Sequence, residues 1–584
     1  MGKDQPVMVE VFNSGYLIAL LLFLAGSVGS FCDGVIASKG LGVAELAAVG
    51  LVYPYTKSME CISLLFSSGS QIIIGHKIGR NEFGEVSKVF YTSLAFTACL
   101  AVAIAVAVTA AANPVSTMFG ASEAGGTLAP TADYLVSLAV GAPAQLLALY
   151  MIPLYQLDEE NKLVRVAMTA MIVVNVGLNV LFLMCGMGIK GIGYSTSISN
   201  YVALLILSTH LFKSGKGILL QGGFRVSGAC LVETIREGAP SAFKNVTSIV
   251  FNGSVNNIIA AVGSTEALAA FSVFKTTKFI FLSVSEAIIN PVRMIQSMLH
   301  EERDLNMLRT VFGYSIARGL VLSVALSALI WIFGREIYSL MVTGAVLDET
   351  VSLMKWATVV FVLNTFVCYY LAYFQAINRN GIVYSISVVL NVVTLPVFYL
   401  LGEAFGSKGV WMSFAVQFVV VTAYVIGLAL VMGRGNKGLV GKLLVVSAES
   451  AEGFDAYDFH IGSVGDAEKA VEDFGRICER GIAESRKSYF CSLALEEIVF
   501  NIIEYQKSAG ESKPNIDVHI IVYGKGKMVM RVKDCSKERN PFVKYEYSGV
   551  GDDFENLGIK ILKSIAVDIK YSFVYGVNFI TITV

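Results

Sequence analysis

Over its first ~440 residues the chain is a succession of about twelve apolar runs, each long enough to cross ~30 Å of hydrocarbon at ~1.5 Å per residue. They fall near 15–37, 46–75, 88–112, 130–155, 163–185 and 191–212, then near 239–262, 266–297, 310–333, 352–376, 382–403 and 409–432. Hydrocarbon holds no water to satisfy backbone N–H and C=O groups, so such runs are confined to helices or closed barrels. The alternating segments of a barrel are absent from the sequence. The expected fold is an all-α polytopic membrane bundle of twelve helices.

The last 140 residues are different. Residues 445–584 hold 17 Lys/Arg and 22 Asp/Glu, and the preceding 444 hold 27 and 23. The front is thus about +4 and the tail about −5. The step falls at the basic, Gly-rich stretch Gly433-Arg434-Gly435-Asn436-Lys437-Gly438. This divides the chain into an N-terminus (1–14), a first six-helix half (15–212), a linker (213–237), a second half (238–433), a linker (434–444) and a soluble domain (445–584). Met1–Glu10 is polar and no signal peptide is expected. The nine cysteines are scattered without a CxxC pair, which fits packing rather than metal or disulfide chemistry. No basic block points to nucleic acid.

Charge placement orients the bundle. Sixteen Lys/Arg, among them Lys77, Arg80, Arg293, Arg303, Arg379 and Lys442, are assigned to alternate connections. The opposite connections hold four: Lys39, Lys190, Arg335 and Lys408. The positive-inside rule puts the first set, both termini and the tail in the cytosol, with the bundle in the cytoplasmic (inner) membrane.

The halves repeat. Ala44-Glu45-Leu46-Ala47-Ala48 echoes Glu266-Ala267-Leu268-Ala269-Ala270, offset by 222 between Leu46 and Leu268, and Gly188-Ile189-Lys190-Gly191-Ile192 echoes Gly406-Ser407-Lys408-Gly409-Val410 at 218. Six crossings per copy is an even number, so the copies share an orientation. That is the parallel-repeat plan of secondary transporters, with the substrate path between halves.

Gly29-Ser30-Phe31-Cys32-Asp33-Gly34, Glu45-Leu46-Ala47-Ala48-Val49-Gly50-Leu51, Gly69, Gly75-His76-Lys77-Ile78-Gly79-Arg80 and Gly238-Ala239-Pro240 together resemble the MATE family of multidrug and toxin extrusion transporters, over residues 12–433. The resemblance implies a 6+6 bundle that exports small organic compounds in exchange for Na⁺ or H⁺. Asp33 matches the family's first-helix acid, which takes part in ion coupling. Independently, an intramembrane carboxylate is costly in lipid and marks a pathway by default. A structural, hydrogen-bonded acid is the alternative.

The sequence departs from the family further on. Where sodium-linked members carry an acid after the seventh-helix proline, this chain reads Lys244-Asn245-Val246-Thr247-Ser248. Lys275 and Lys278 share a helix face, and Glu286 lies two turns on. Two readings stay open: these lysines favour an anionic or zwitterionic substrate, or Lys278 ion-pairs with Glu286 or Asp33. Wall-packing or snorkelling lysines are the bland alternative. Asn256 is a further polar candidate, and Asn175 and Asn179 suit interhelical hydrogen bonds. Pro153, Pro240, Pro291 and Pro396 are candidate helix breaks.

The tail reads as an α/β sandwich: helices at 466–484, 492–506 and 557–566, strands at 517–523, 528–533, 568–574 and 577–584. Glu496-Glu497-Ile498-Val499-Phe500-Asn501 resembles the N box of GHKL ATPases of the anti-sigma-factor serine kinase type. The resemblance implies Mg-ATP, with Asn501 on Mg²⁺, Glu497 as catalytic base if the domain is active, Asp534 reading adenine and Gly558 in the later glycine box. Ser536 and Asn556 replace two glycines of that pattern. The expected function is a cation-coupled antiporter regulated by a nucleotide- or partner-sensing tail. Two alternatives remain: a lipid-linked oligosaccharide flippase of the same superfamily, and a membrane-anchored serine kinase acting on an anti-anti-sigma-like protein partner.

Overall fold

The computed structural model describes residues 5–40, 45, 48–49, 51–123, 126–212, 217–262, 265–339, 342–436, 438–445, 454–481, 485–508, 513–523, 527–540, 542, 563–564 and 566–584. Within its helices, the side chains of residues 25–40, 256, 275 and several neighbours are outside that description.

The first half comprises α1 (Val7–Gly40), α2 (Tyr53–Gly79), α3 (Val86–Ala110), α4 (Ala112–Met118), α5 (Leu128–Ala139), α6 (Ala142–Leu154), α7 (Asn161–Met184) and α8 (Gly188–Ser208). The second half comprises α9 (Gly228–Val262), α10 (Thr265–Ala287), α11 (Ile289–Glu302), α12 (Leu305–Ser339), α13 (Gly344–Ala376), α14 (Asn380–Val388), α15 (Leu395–Phe405) and α16 (Ser407–Met432). Among the described residues, six helical stretches are individually long and apolar enough to cross a membrane: 83–110, α7, α12, α13, 380–405 and α16. The pair α5 and α6, bent by 50°, makes a seventh. The other predicted runs lie in α1, α2, α8, α9 and α10, which are helical as well. This is a multi-pass membrane protein.

The bundle is apolar outside and polar within. Val106, Val173, Leu205 and Ile332 are exposed, as a lipid-facing surface requires, while Ser70, Thr97, Asn179, Gln296 and Gln417 are buried. Asn175 Nδ2 donates to Thr196 Oγ1 at 3.3 Å, joining α7 to α8 as expected of it. Pro396 follows a π-turn at Val389–Val393 that divides α14 from α15, and Pro291 lies just past the break between α10 and α11. Pro240 sits within a continuous α9.

The halves meet through glycines. A Cβ on Gly69 would lie 2.9 Å from the Thr234 carbonyl carbon, and one on Gly79 would lie 2.6 Å from Met298 O. The first contact brings α2 against α9, the second against α11. Only residues without side chains let the backbones come this close. Beyond the second crossing, Arg80 holds Glu301 through two hydrogen bonds of 2.9 Å.

The linker after α16 is a short helix, α17 (Gly438–Leu444), not the plain connection expected. It is tied to α13 by Tyr370 Oη donating to Leu443 O at 3.2 Å. The tail follows as β1 (Phe454–Ile461), α18 (Val464–Gly481), α19 (Ser485–Ser508), β2 (Ile516–Tyr523), β3 (Lys527–Asp534), β4 (Asp568–Val574) and β5 (Val577–Thr583). Its strands form one antiparallel sheet in the order β1-β2-β3-β5-β4. The strand β1 was not expected. The predicted helix at 557–566 lies mostly outside the described residues.

Residues on one face of a strand recur every second position. Ile516, Val518, Ile520, Met530, Val532 and Ile580 face Phe474, Leu495, Ile498 and Ile502 of α18 and α19 in the tail's own core. The opposite face carries Asp517, His519, Arg531, Lys533 and Thr581, all less than 9% exposed. A solvated sheet would leave these in water. Here the bundle covers them.

Candidate functional site

Within the bundle Lys57 pairs with Glu60 at 2.6 Å in the first half, and the charged groups singled out from the sequence lie mostly in the second. Asp33, Lys275 and Asn256 have side chains outside the described residues. Lys278 Nζ lies 3.4 Å from Asn252 Oδ1 and 5.8 Å from the centre of the Phe274 ring. Glu286 has its cation in Lys244, at 3.6 Å, and not in Lys278. It also accepts from Cys368 Sγ at 3.7 Å. Of the pairings left open for Lys278, Glu286 is instead beside Lys244, and Asp33 lies outside the described side chains. Lys244 projects from α9 to the α10 carboxylate.

A second correction concerns Arg293, read from the sequence as a connecting residue. It lies in α11, 2% exposed. Its Nη1 donates to Gln71 Oε1 at 2.9 Å, and its Nη2 donates to Ser241 Oγ and Gln375 Oε1, both at 3.2 Å. All three acceptors are neutral. Gln71 belongs to the first half, Ser241 and Gln375 to the second, so one guanidinium spans both. Arginine suits this position because its planar fork offers several fixed donors.

The tail has a separate cleft. Asn501, Ile502, Tyr505, Asp534, Ser536, Arg539, Asn578 and Ile580 line it. Two predicted residues, Asn501 and Asp534, thus come together, and Gly558 lies outside the described residues. Glu497, one turn before Asn501, is half-buried and not in the lining. Burial and the neighbouring Glu496 raise its carboxyl above the usual range.

Asp534 Oδ1 accepts from the Ser536 backbone N–H at 2.9 Å, the Ser536 hydroxyl, and Asn578 Nδ2 at 3.1 Å. Burial pushes its carboxyl upward against these bonds. Ser536, standing where the GHKL pattern has glycine, therefore engages one carboxylate oxygen. Oδ2 accepts no hydrogen bond from the described residues, which leaves an acceptor for an exocyclic amine. Arg539 lies 4.4 Å over the Tyr505 ring and closes the side of the cleft. Asp534 and Asn501 thus give the cleft a carboxylate and a carboxamide in its lining.

The sequence profile of the MatE family matches residues 19–183 and 240–400, more than half of the chain. The chain belongs to the MatE family. Its curated relatives include the multidrug export protein MepA of Staphylococcus aureus (strain MRSA252), 22% identical over 409 residues, covering 67% of this chain and 87% of MepA. Another is the probable multidrug resistance protein YoeA of Bacillus subtilis (strain 168), 24% identical over 352 residues, covering 58% and 75%. Among solved structures, a MOP superfamily transporter from Pyrococcus furiosus Vc1 (DSM3638), described as having a binding pocket of reverse polarity, shares the fold at a TM-score of 0.66. It is 20% identical, with 72% of this chain and 95% of that chain covered. This MatE protein is accordingly a membrane transporter.

Sequence reasoning singled out Lys244 but not its partner, and missed Arg293, Cys368 and Gln375 as site residues. A signal existed for the two cations, since both fall inside apolar runs. Their partners were illegible, lying 42 to 222 residues away on other helices.

Proposed function

We propose that this protein is a cation-coupled exporter of small organic anions or zwitterions. It works by alternating access between two six-span halves, with both termini and the tail in the cytosol. The observation that supports the substrate class is the set of cations inside the second half: Lys244 beside Glu286, Lys278 beside Asn252, and Arg293 held by three neutral acceptors. Buried cations would repel the organic cations that multidrug exporters of this kind are known by, and would attract a carboxylate or phosphate. Asp33 is the coupling acid in this reading. A carboxylate beside a path that opens alternately to two solvents changes its ionisation as burial changes.

The tail is read as the regulator, holding Mg-ATP in its cleft. Asp534 Oδ2 accepts from the base, Asn501 offers an oxygen to the metal, and Arg539 is available to a phosphate. ATP supplies charge and binding energy there.

Reconstitution in liposomes with imposed Na⁺ or H⁺ gradients tests this, using matched panels of cationic and anionic compounds. Gradient-driven flux of anions that falls at least tenfold in Lys244→Ala or Lys278→Ala is expected. Flux of cations alone, indifferent to both substitutions, would refute the substrate class. Calorimetry with Mg-ATP on the full chain tests the cleft, with phosphate transfer to an anti-anti-sigma-like protein as the result that would promote a kinase.

A further inference from the structure

We infer that the tail is a strap that grips both halves of the bundle and holds the transport path shut at its cytosolic end until one half is released. This rests on the reading of the tail as regulator.

The outer face of a single sheet touches both halves. On the first half, Asp517 Oδ2 accepts from the Val7 backbone N–H at 2.7 Å, Thr581 Oγ1 donates to Asn81 Oδ1 at 2.8 Å, and the Tyr575 N–H donates to Leu157 O at 2.9 Å. On the second half, Lys533 Nζ pairs with Glu302 at 2.5 Å and lies 3.9 Å from Asp304, both partners fully enclosed. Arg531 Nη1 donates to Glu302 O at 3.2 Å, and Asn306 Nδ2 donates to Asp458 Oδ2 at 2.6 Å. Arg303, at φ 59°, turns the chain sharply enough to bring both Glu302 and Asp304 onto the sheet.

A hydrogen-bonded sheet does not stretch, so the halves cannot part at this end while both sets of contacts persist. The two grips are unequal. The second-half grip is a buried ionic cluster, whereas the first-half grip is two neutral hydrogen bonds, one helix-capping carboxylate and an exposed bond of 3.1 Å from Asn515 Nδ2 to Glu10. Release from the first half is the easier motion. Strand β3 links the strap to the cleft, since Lys533 points outward to Glu302 while its neighbour Asp534 points inward. An occupant of the cleft acts on the same strand.

The test uses the full chain in proteoliposomes, with accessible cysteines replaced. Asn81→Cys with Thr581→Cys pins the strap to the first half; Asn306→Cys with Asp458→Cys pins it to the second. A FRET pair on noncanonical amino acids at the exposed positions Lys162 and Asn378 reports the spacing of the halves. Either disulfide alone should leave the gradient-driven change in spacing. Both together should abolish it and cut flux at least tenfold, with dithiothreitol restoring both. Halves that still part with both disulfides intact by mass spectrometry overturn the inference.

An independent arm needs no cross-link. Lys533→Glu should widen the spacing without a gradient, and Lys533→Glu with Glu302→Lys should restore it. Unchanged spacing while Thr581→Cys becomes reactive also overturns the strap. If the pins block parting but Mg-ATP and Asp534→Asn leave flux unaltered, the strap stands and the regulatory reading fails.

Discussion

A single methyl group on Gly238 should bias the bundle toward opening at the tail-side end. In the present arrangement that Cβ would sit 2.8 Å from the Leu65 carbonyl carbon and 3.2 Å from Gly69 N, and closer still to the Leu65 oxygen. Ordinary contact starts at 3.4 Å, and these neighbours are backbone atoms that cannot rotate away. Gly238→Ala therefore forces α9 off α2 over a stretch that joins the two halves. Overpacking of this kind costs about 1–3 kcal/mol, and only the closed arrangement bears it. The open population should rise by about 5- to 150-fold. The assay is alkylation of Ser241→Cys by a membrane-impermeant maleimide, since that position is buried beneath the crossing. Gly177→Ala, whose Cβ would meet nothing within 4 Å, is the control. An alkylation rate unchanged by Gly238→Ala, in protein that elutes and melts as wild type, refutes the crossing as part of the closure.

Three further outcomes follow from geometry given above. Lys533→Ala strands Glu302 and Asp304 together, and breaking a buried pair from one side costs about 3–5 kcal/mol; labelling of Thr581→Cys should accelerate at least a hundredfold, whereas Lys533→Met with Glu302→Leu should recover most of the docking. Ser536→Gly removes one hydrogen bond from Asp534, worth about 1 kcal/mol, so calorimetry should show Mg-ATP binding about fivefold tighter than wild type, and Asp534→Asn should abolish it. Docking of the tail should respond to acid. Burial raises the Asp304 carboxyl above 3.8, so its protonated form favours the docked state and its contribution fades as pH rises through that raised value. Burial acts the same way on Asp458, but His519 lowers that carboxyl, and because both residues belong to the tail that pairing survives undocking and adds no dependence of docking on pH. FRET between tail and bundle should therefore fall as pH rises through the raised Asp304 value, and Asp304→Asn should erase that response.

The bundle was largely legible because lipid punishes polar backbone and side chains, so apolar length alone announces each helix. The glycine motifs were visible as motifs; that Gly69 and Gly238 lie at one crossing was not, since they are 169 residues apart. The tail's strands β2, β3, β4 and β5 were placed within a residue or so, because each alternates cleanly. Strand β1 escaped because Asp455, Asp458 and His460 make it read as a polar linker. Arg293 was misplaced for a related reason: a cation is tolerated in the bundle only when distant amides surround it, and one helix does not reveal them. Lys533 looked like a solvated strand residue, and nothing local shows that Glu302 covers it.

The contact between Asp517 and Val7 joins residues 510 positions apart. A helix leaves its first backbone N–H groups without partners inside itself, and here the opening turn of α1 is completed by a carboxylate near the far end of the chain. On the ribosome, that turn waits for almost the whole polypeptide to be made. The opening turn of α1 is thus among the last parts of this fold to be finished, and a product truncated before Asp517 would leave it frayed.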